Sequence, residues 1–210
     1  VGLWLLAFIA YHMAWTAHKG APFILNGFDL AVQIRIHPAM VAENPTMRTS
    51  IFLWLVIPLV VLGVSVGSCL YEGWQIRWLL RLVACGVALR VNPPQEVVLS
   101  GLGPNDYAMI LTVLTLLGLG LVAPSILLEK PLLRHFRWAM LATCFVGLFL
   151  PFIGLSRALG LLQELQLEST LGGGAVLYGV ALGGIGILCL RSWKVADDPS
   201  PNAEVVLSSP

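Results

Sequence analysis

Apolar residues run along this chain in long blocks separated by short polar connections. A membrane-crossing helix needs about 20 apolar residues at ~1.5 Å rise each. Four blocks reach or nearly reach that length, at residues 49–71, 107–128, 137–155 and 172–190. A fifth, at 1–17, is slightly short. It lacks the basic start and small-residue cleavage site of a signal peptide, so it is expected to be a retained anchor. The sixth, 74–91, reads "WQIRWLLRLVACGVALRV" and is interrupted by Arg77 and Arg81. An arginine near mid-bilayer costs at least ~2.5 kcal/mol, but both lie near the start of the block and can snorkel to the interface. The following "NPPQE" is a firm stop.

The pattern predicts an all-α integral membrane protein: one helical domain over 1–190 with six transmembrane helices, five being the alternative. With six and the N-terminus inside, the inner segments hold Arg77, Arg81, Lys130, Arg134, Arg137, Arg191 and Lys194. The outer ones hold Lys19, Arg35, Arg48, Arg90 and Arg157, a split of seven against five. Five helices with the N-terminus outside give eight against four. Helix hydrophobicity and the short "YEGWQIR" connector favour six. Both versions leave the C-terminus cytoplasmic.

Two segments are half polar. In 27–37, apolar and polar residues alternate as in a strand, yet Asp29, Gln33 and His37 also form a stripe at helical spacing. A lone strand would leave its backbone unpaired at the bilayer, so a helix is expected, capped by Asn26, favoured by Asp29 at its positive end and stopped by Pro38. Residues 156–168, "SRALGLLQELQLE", can place Arg157, Glu164 and Glu168 on one face. Both segments are expected to be amphipathic and interfacial, on the outer side.

Small residues recur every four positions at Gly63 and Gly67, and again at Ala175, Gly179 and Gly183. In lipid this spacing lets helix backbones approach closely, within the chain or against a partner. Pro58 and Pro151 should kink their spans; with no polar residue beside them they are read as shape.

Composition reinforces the membrane reading. The 210 residues are 58% hydrophobic and 11% charged, against about 25% charged in soluble domains. The net charge of +1 suggests no nucleic-acid partner. Cys69, Cys85, Cys144 and Cys189 are scattered in apolar surroundings, without the spacing that holds zinc or an iron–sulfur cluster.

Candidate chemistry gathers at His12, His18, Asp29, Gln33, Arg35 and His37, read as quinone or lipid-headgroup contacts. A histidine paired with a carboxylate can hydrogen-bond and exchange protons with a redox carbonyl. A bis-histidine haem would need His135 as partner, and six spans put it on the opposite side from His12 and His18. No nucleophile motif or phosphate loop is present. Ionisable residues within spans, the usual mark of a transporter, are few, which argues against a small-molecule transporter or channel; that class is the first alternative and a quinone- or haem-binding subunit the second.

The succession "YHMAWTAHKGAPFILNGFDLAVQIRIHPAMVAENP", then a span and "ALRVNPPQE", resembles membrane proteins of filamentous phototrophic bacteria. In that setting it is similar to accessory subunits of energy-transducing assemblies such as alternative complex III, the menaquinol-oxidising complex. The likeness covers roughly the first half of the chain and assigns no residue a role. It implies a non-catalytic subunit that stabilises or positions a quinol-oxidising electron-transfer complex in the bacterial inner membrane. Other membrane subunits and lipids would be its partners. Haem, iron–sulfur clusters and menaquinone would then reside in the partner subunits, with no cofactor in this chain. The cytoplasmic tail 191–210 is too polar and proline-rich to order alone, and is expected to run along a neighbouring protein, anchored by Val205, Val206 and Leu207.

Overall fold

Long apolar blocks satisfy their backbone hydrogen bonds internally only as helices, and the computed structural model is mostly helical. It describes residues 1–18, 24–36, 45–92, 106–127, 135–164, 167 and 169–197. Helix α1 (Gly2–Tyr11) leads into strands β1 (Ala14–His18) and β2 (Ile24–Asn26), followed by α2 (Gly27–Ile36). Then come α3 (Pro45–Trp54), α4 (Val56–Ser68), α5 (Trp74–Leu89) and α6 (Asp106–Leu127). Helix α7 (Phe136–Glu164), strand β3 (Ser169–Leu171) and α8 (Gly173–Asp197) complete the described chain. Four stretches are long and apolar enough to cross a membrane: Thr49–Ser68, Ala108–Leu127, Trp138–Glu164 and Gly173–Arg191. These apolar helices are compatible with a multi-pass membrane protein.

The helices alternate in direction. Trp4 lies against Gly63 and Val1 against Gly67, which sets α1 antiparallel to α4. Leu3 meets Gly184 while Ala10 meets Gly174, so α8 is antiparallel to α1 as well. Arg81 reaches Ser125 and Ala88 meets Gly118, pairing α5 antiparallel with α6. The α3–α4 stretch is central: 72% of it is buried, against 33–39% of the other three long stretches. The anticipated close packing at Gly63 is within the chain, since a Cβ there would overlap the Trp4 indole. The stripe on α8 is only partly as expected. Ala175 is buried and Gly179 faces Phe152, but Gly183 is exposed, and it is Gly174 and Gly184 that face α1.

Several boundaries differ from the hydropathy pattern. The first block is helical only to Tyr11, and residues 14–18 become the central strand of a three-stranded antiparallel sheet ordered β2–β1–β3. Thr16 pairs with both Leu25 and Leu171, and the register slips between Ala14 and Thr16. That slip is a bulge, which re-aims a side chain; Trp15 at this point is fully buried. Residues 156–164 are not a separate segment but the last turns of α7. Residues 191–197, assigned to the tail, continue α8. Val205, Val206 and Leu207 lie outside the described residues. The 49–71 block is interrupted at Leu55, between α3 and α4. Pro58 explains the place, because a proline withdraws the amide hydrogen its helix would donate four residues back, to Trp54.

Pro151 withdraws the corresponding donor from the Gly147 carbonyl within α7. There the deficit is made good from another helix: the buried Tyr178 hydroxyl of α8 donates to Gly147 O at 2.7 Å. A Cβ at Gly147 would make ordinary contact with the phenol oxygen at 3.5 Å but would press on Leu182 at 3.3 Å. The proline is thus more than shape. Replacing Tyr178 by Phe should lower stability in mild detergent by about 1–3 kcal/mol, the cost of a buried unsatisfied carbonyl. In a Pro151→Ala background the helix regains its own donor, and most of that loss should vanish. An equal loss in both backgrounds would refute the coupling.

Candidate functional site

Helix α1 ends among buried side chains, so its last carbonyls need donors that water cannot supply. Backbone amides of His12 and Met13 serve Ile9 O and Ala10 O at 3.0 and 3.2 Å. Two side chains complete the end. The Trp15 indole donates to Ala10 O at 3.0 Å, and His12 Nδ1 lies 3.0 Å from Phe8 O. With a carbonyl as partner, Nδ1 carries the proton. The imidazole is also held edge-on by Phe8 and Tyr11, with ring centroids 4.6 and 5.3 Å away. Its Nε2 is buried and meets no hydrogen-bond partner among the described residues. A histidine that closes a helix end is a structural use of the residue.

Asp29 is likewise committed locally. Its backbone amide donates to Asn26 Oδ1 at 2.8 Å, and Asn26 Nδ2 donates back to Asp29 Oδ2 at 2.7 Å. Asn26 is thus the N-cap and Asp29 the third helical residue, and the second bond joins their two side chains rather than reaching the Asn26 backbone amide as in a capping box. Helix rather than strand therefore holds over 27–36, as Asn26 and Asp29 foretold. Gln33 is half-buried one turn along the helix from Asp29.

Of the anticipated cluster, the structure describes the side chains of His12, Asp29 and Gln33. Among the described residues no hydrogen bond or ring contact joins His12 to Asp29. His18 belongs to β1 and Arg35 to α2, but their side chains lie outside the description, as does all of His37. His135 precedes α7, whose Phe136 and Met140 share a cavity with Val1, Gly2, Leu3 and Trp4 at the start of α1. His12 closes the other end of that helix, so the two histidines cannot share a haem. No group of three His, Cys, Asp or Glu side chains able to hold a metal ion occurs among the described residues.

Two features escaped the sequence reading. An aromatic column runs from Tyr11 to Trp15 (5.5 Å between ring centroids) and from Trp15 to Tyr178 (5.4 Å) and Phe152 (6.4 Å). The other is Arg81. Instead of snorkelling outward it is buried, 6% exposed, and its guanidinium donates to Ser125 O in the last described turn of α6. The Trp78 ring lies 5.4 Å from the guanidinium carbon. An arginine on helix C-terminal carbonyls opposes the negative end of the dipole. The Cys69 thiol points to the same carbonyl at 3.6 Å. The adjacent Leu82 is 65% exposed, whereas Arg81 shares the buried side of α5 with Ala84, Val87 and Ala88.

The chain matches no family model, no curated protein and no solved structure.

Two outcomes follow from these assignments. Asn26→Ala should cost about 1 kcal/mol of stability by removing the cap, while Asp29→Ala, which keeps the backbone amide that Asn26 receives, and Asp29→Asn should each cost less. If Asp29 instead handled protons, the Asn variant would abolish the associated activity as fully as the Ala variant. Arg81→Leu should destabilise the α5–α6 pair by about 1–3 kcal/mol, leaving the Ser125 carbonyl short of a strong donor. Faster proteolysis between α5 and α6 would report it, and wild-type resistance would contradict the capping role.

Proposed function

We propose that this chain is a non-catalytic, multi-pass membrane subunit that stabilises or positions a multisubunit, quinol-oxidising electron-transfer complex. The observation that carries this reading is how the candidate polar residues are used. His12 closes α1, Asp29 holds the Asn26 cap of α2 and Arg81 serves the last described turn of α6, so each of these side chains serves the fold. The electron-transfer context rests on the resemblance of the first half of the chain to accessory subunits of such assemblies.

In this reading α1, α3–α4, α5, α6, α7 and α8 make six crossings of a bacterial inner membrane, with the C-terminus cytoplasmic. Helix α5 joins the set because its exposed side carries Trp74, Leu79, Leu82 and Leu89 while Arg81 turns inward. That arrangement suits hydrocarbon and is the reverse of a water-facing helix. The outer faces of α6 and α7 add Leu116, Phe145 and Phe149, a bulky apolar surface for lipids and neighbouring subunits.

Purification through a tag on this chain in mild detergent should bring down haem- and iron–sulfur-bearing membrane subunits in fixed ratio. Deleting the chain should loosen that assembly or slow quinol turnover without removing any haem absorption band. Recovery of the chain alone, or substrate uptake by vesicles containing only this chain, would overturn the proposal.

A further inference from the structure

The outer face of α7 carries a groove that begins in its apolar middle and ends beside charge. A cavity of about 410 Å³ over Leu148, Phe149, Phe152, Ile153 and Ser156 adjoins one of about 380 Å³, with which it shares Phe152 and Ser156. The second continues to Gly160 and Gln163, walled by Leu171 of β3. Gly160 also lines a third cavity, of about 320 Å³, containing Arg157 and Glu164. Nothing lies within 4 Å of where a Cβ at Gly160 would be, so the missing side chain leaves the passage open.

The depth of each part follows from helix length. Hydrocarbon about 30 Å thick takes about 20 helical residues, and Trp138, an exposed indole at the start of the long α7 stretch, suits one interface. The opposite interface then falls near Arg157. From Ser156 back to Leu148 the groove runs ~12 Å, close to the ~15 Å of a single leaflet. Arg157 has no ion-pair partner among the described residues; its guanidinium carbon rests 5.6 Å from the Phe52 ring centroid. Glu164 lies two turns further from the bilayer centre. Going outward, the groove therefore presents apolar wall, cation, then carboxylate.

We propose that this groove binds a phospholipid with a zwitterionic head. One acyl chain lies along Phe149, Phe152 and Ile153, the phosphate meets Arg157, and the head-group ammonium meets Glu164. Such a lipid carries its charges in the complementary order, phosphate nearer the chains and ammonium outside. This site is separate from the His12 and Asp29 region and does not depend on the electron-transfer reading.

Native mass spectrometry of the delipidated protein, titrated with phosphatidylethanolamine or phosphatidylglycerol, tests it. Phosphatidylethanolamine should be retained in preference. Arg157→Gln should weaken its binding about tenfold, the usual worth of one charge-assisted hydrogen bond. Gly160→Leu should do the same by closing the passage. Both positions face outward, so unchanged thermal unfolding separates lost binding from lost folding. Preference for phosphatidylglycerol would overturn the head-group assignment. Equal retention by wild type and both variants, or retention of no phospholipid, would overturn the site.

Discussion

The bond from Tyr178 to the carbonyl of Gly147 fixes much of the remaining structure. Pro151 makes it necessary, because in an apolar interior a carbonyl without its helical donor must find another. Placing the phenol there brings α8 against α7 at a defined height and turns the Tyr178 ring towards Trp15 and Phe152. Trp15 in turn needs β1 bulged at its position, and its carbonyl accepts the Gly172 amide at 2.7 Å just before α8 begins. Its indole closes α1 through Ala10 O. One missing amide hydrogen is thus connected, through hydrogen bonds and the tilted Tyr178–Trp15 ring contact, to the end of α1 and the start of α8.

The parts of this arrangement that rest on local signals were legible in the sequence. Apolar block length located the long helices, and Asn26 with Asp29 marked the start of α2 correctly against a competing strand pattern. The sheet was not legible. Its third strand, residues 169–171, is about 150 residues from the other two, and the central strand is hidden inside an apolar block that reads as helix. Periodicity cannot separate a buried strand from buried helix over so short a run. Gly183 continued the four-residue repeat yet faces outward, because α8 turns Gly174, Tyr178 and Ala181 towards its neighbours instead. A repeat shows which residues share a face, not which face is covered. His12 looked chemical because histidine usually is; only the Phe8 carbonyl at 3.0 Å reveals its structural task.

Helix α5 carries the same lesson into energetics. Its 16 residues, ~24 Å of helix, and its two arginines make it the least apolar of the six candidate crossings. Hydropathy charges Arg81 at the rate for an arginine facing hydrocarbon. That cost depends on what the guanidinium meets. Here it meets a carbonyl at the closing turn of α6, where the helix dipole is negative, and an indole face that favours a cation. Ser125 O lies beyond Pro124, near the end of the described helix. The arginine and the helix end therefore each remove the other's principal expense. Packing against α6 thus gives the buried Arg81 a place among Ala84, Val87 and Ala88 while Leu79, Leu82 and Leu89 remain exposed.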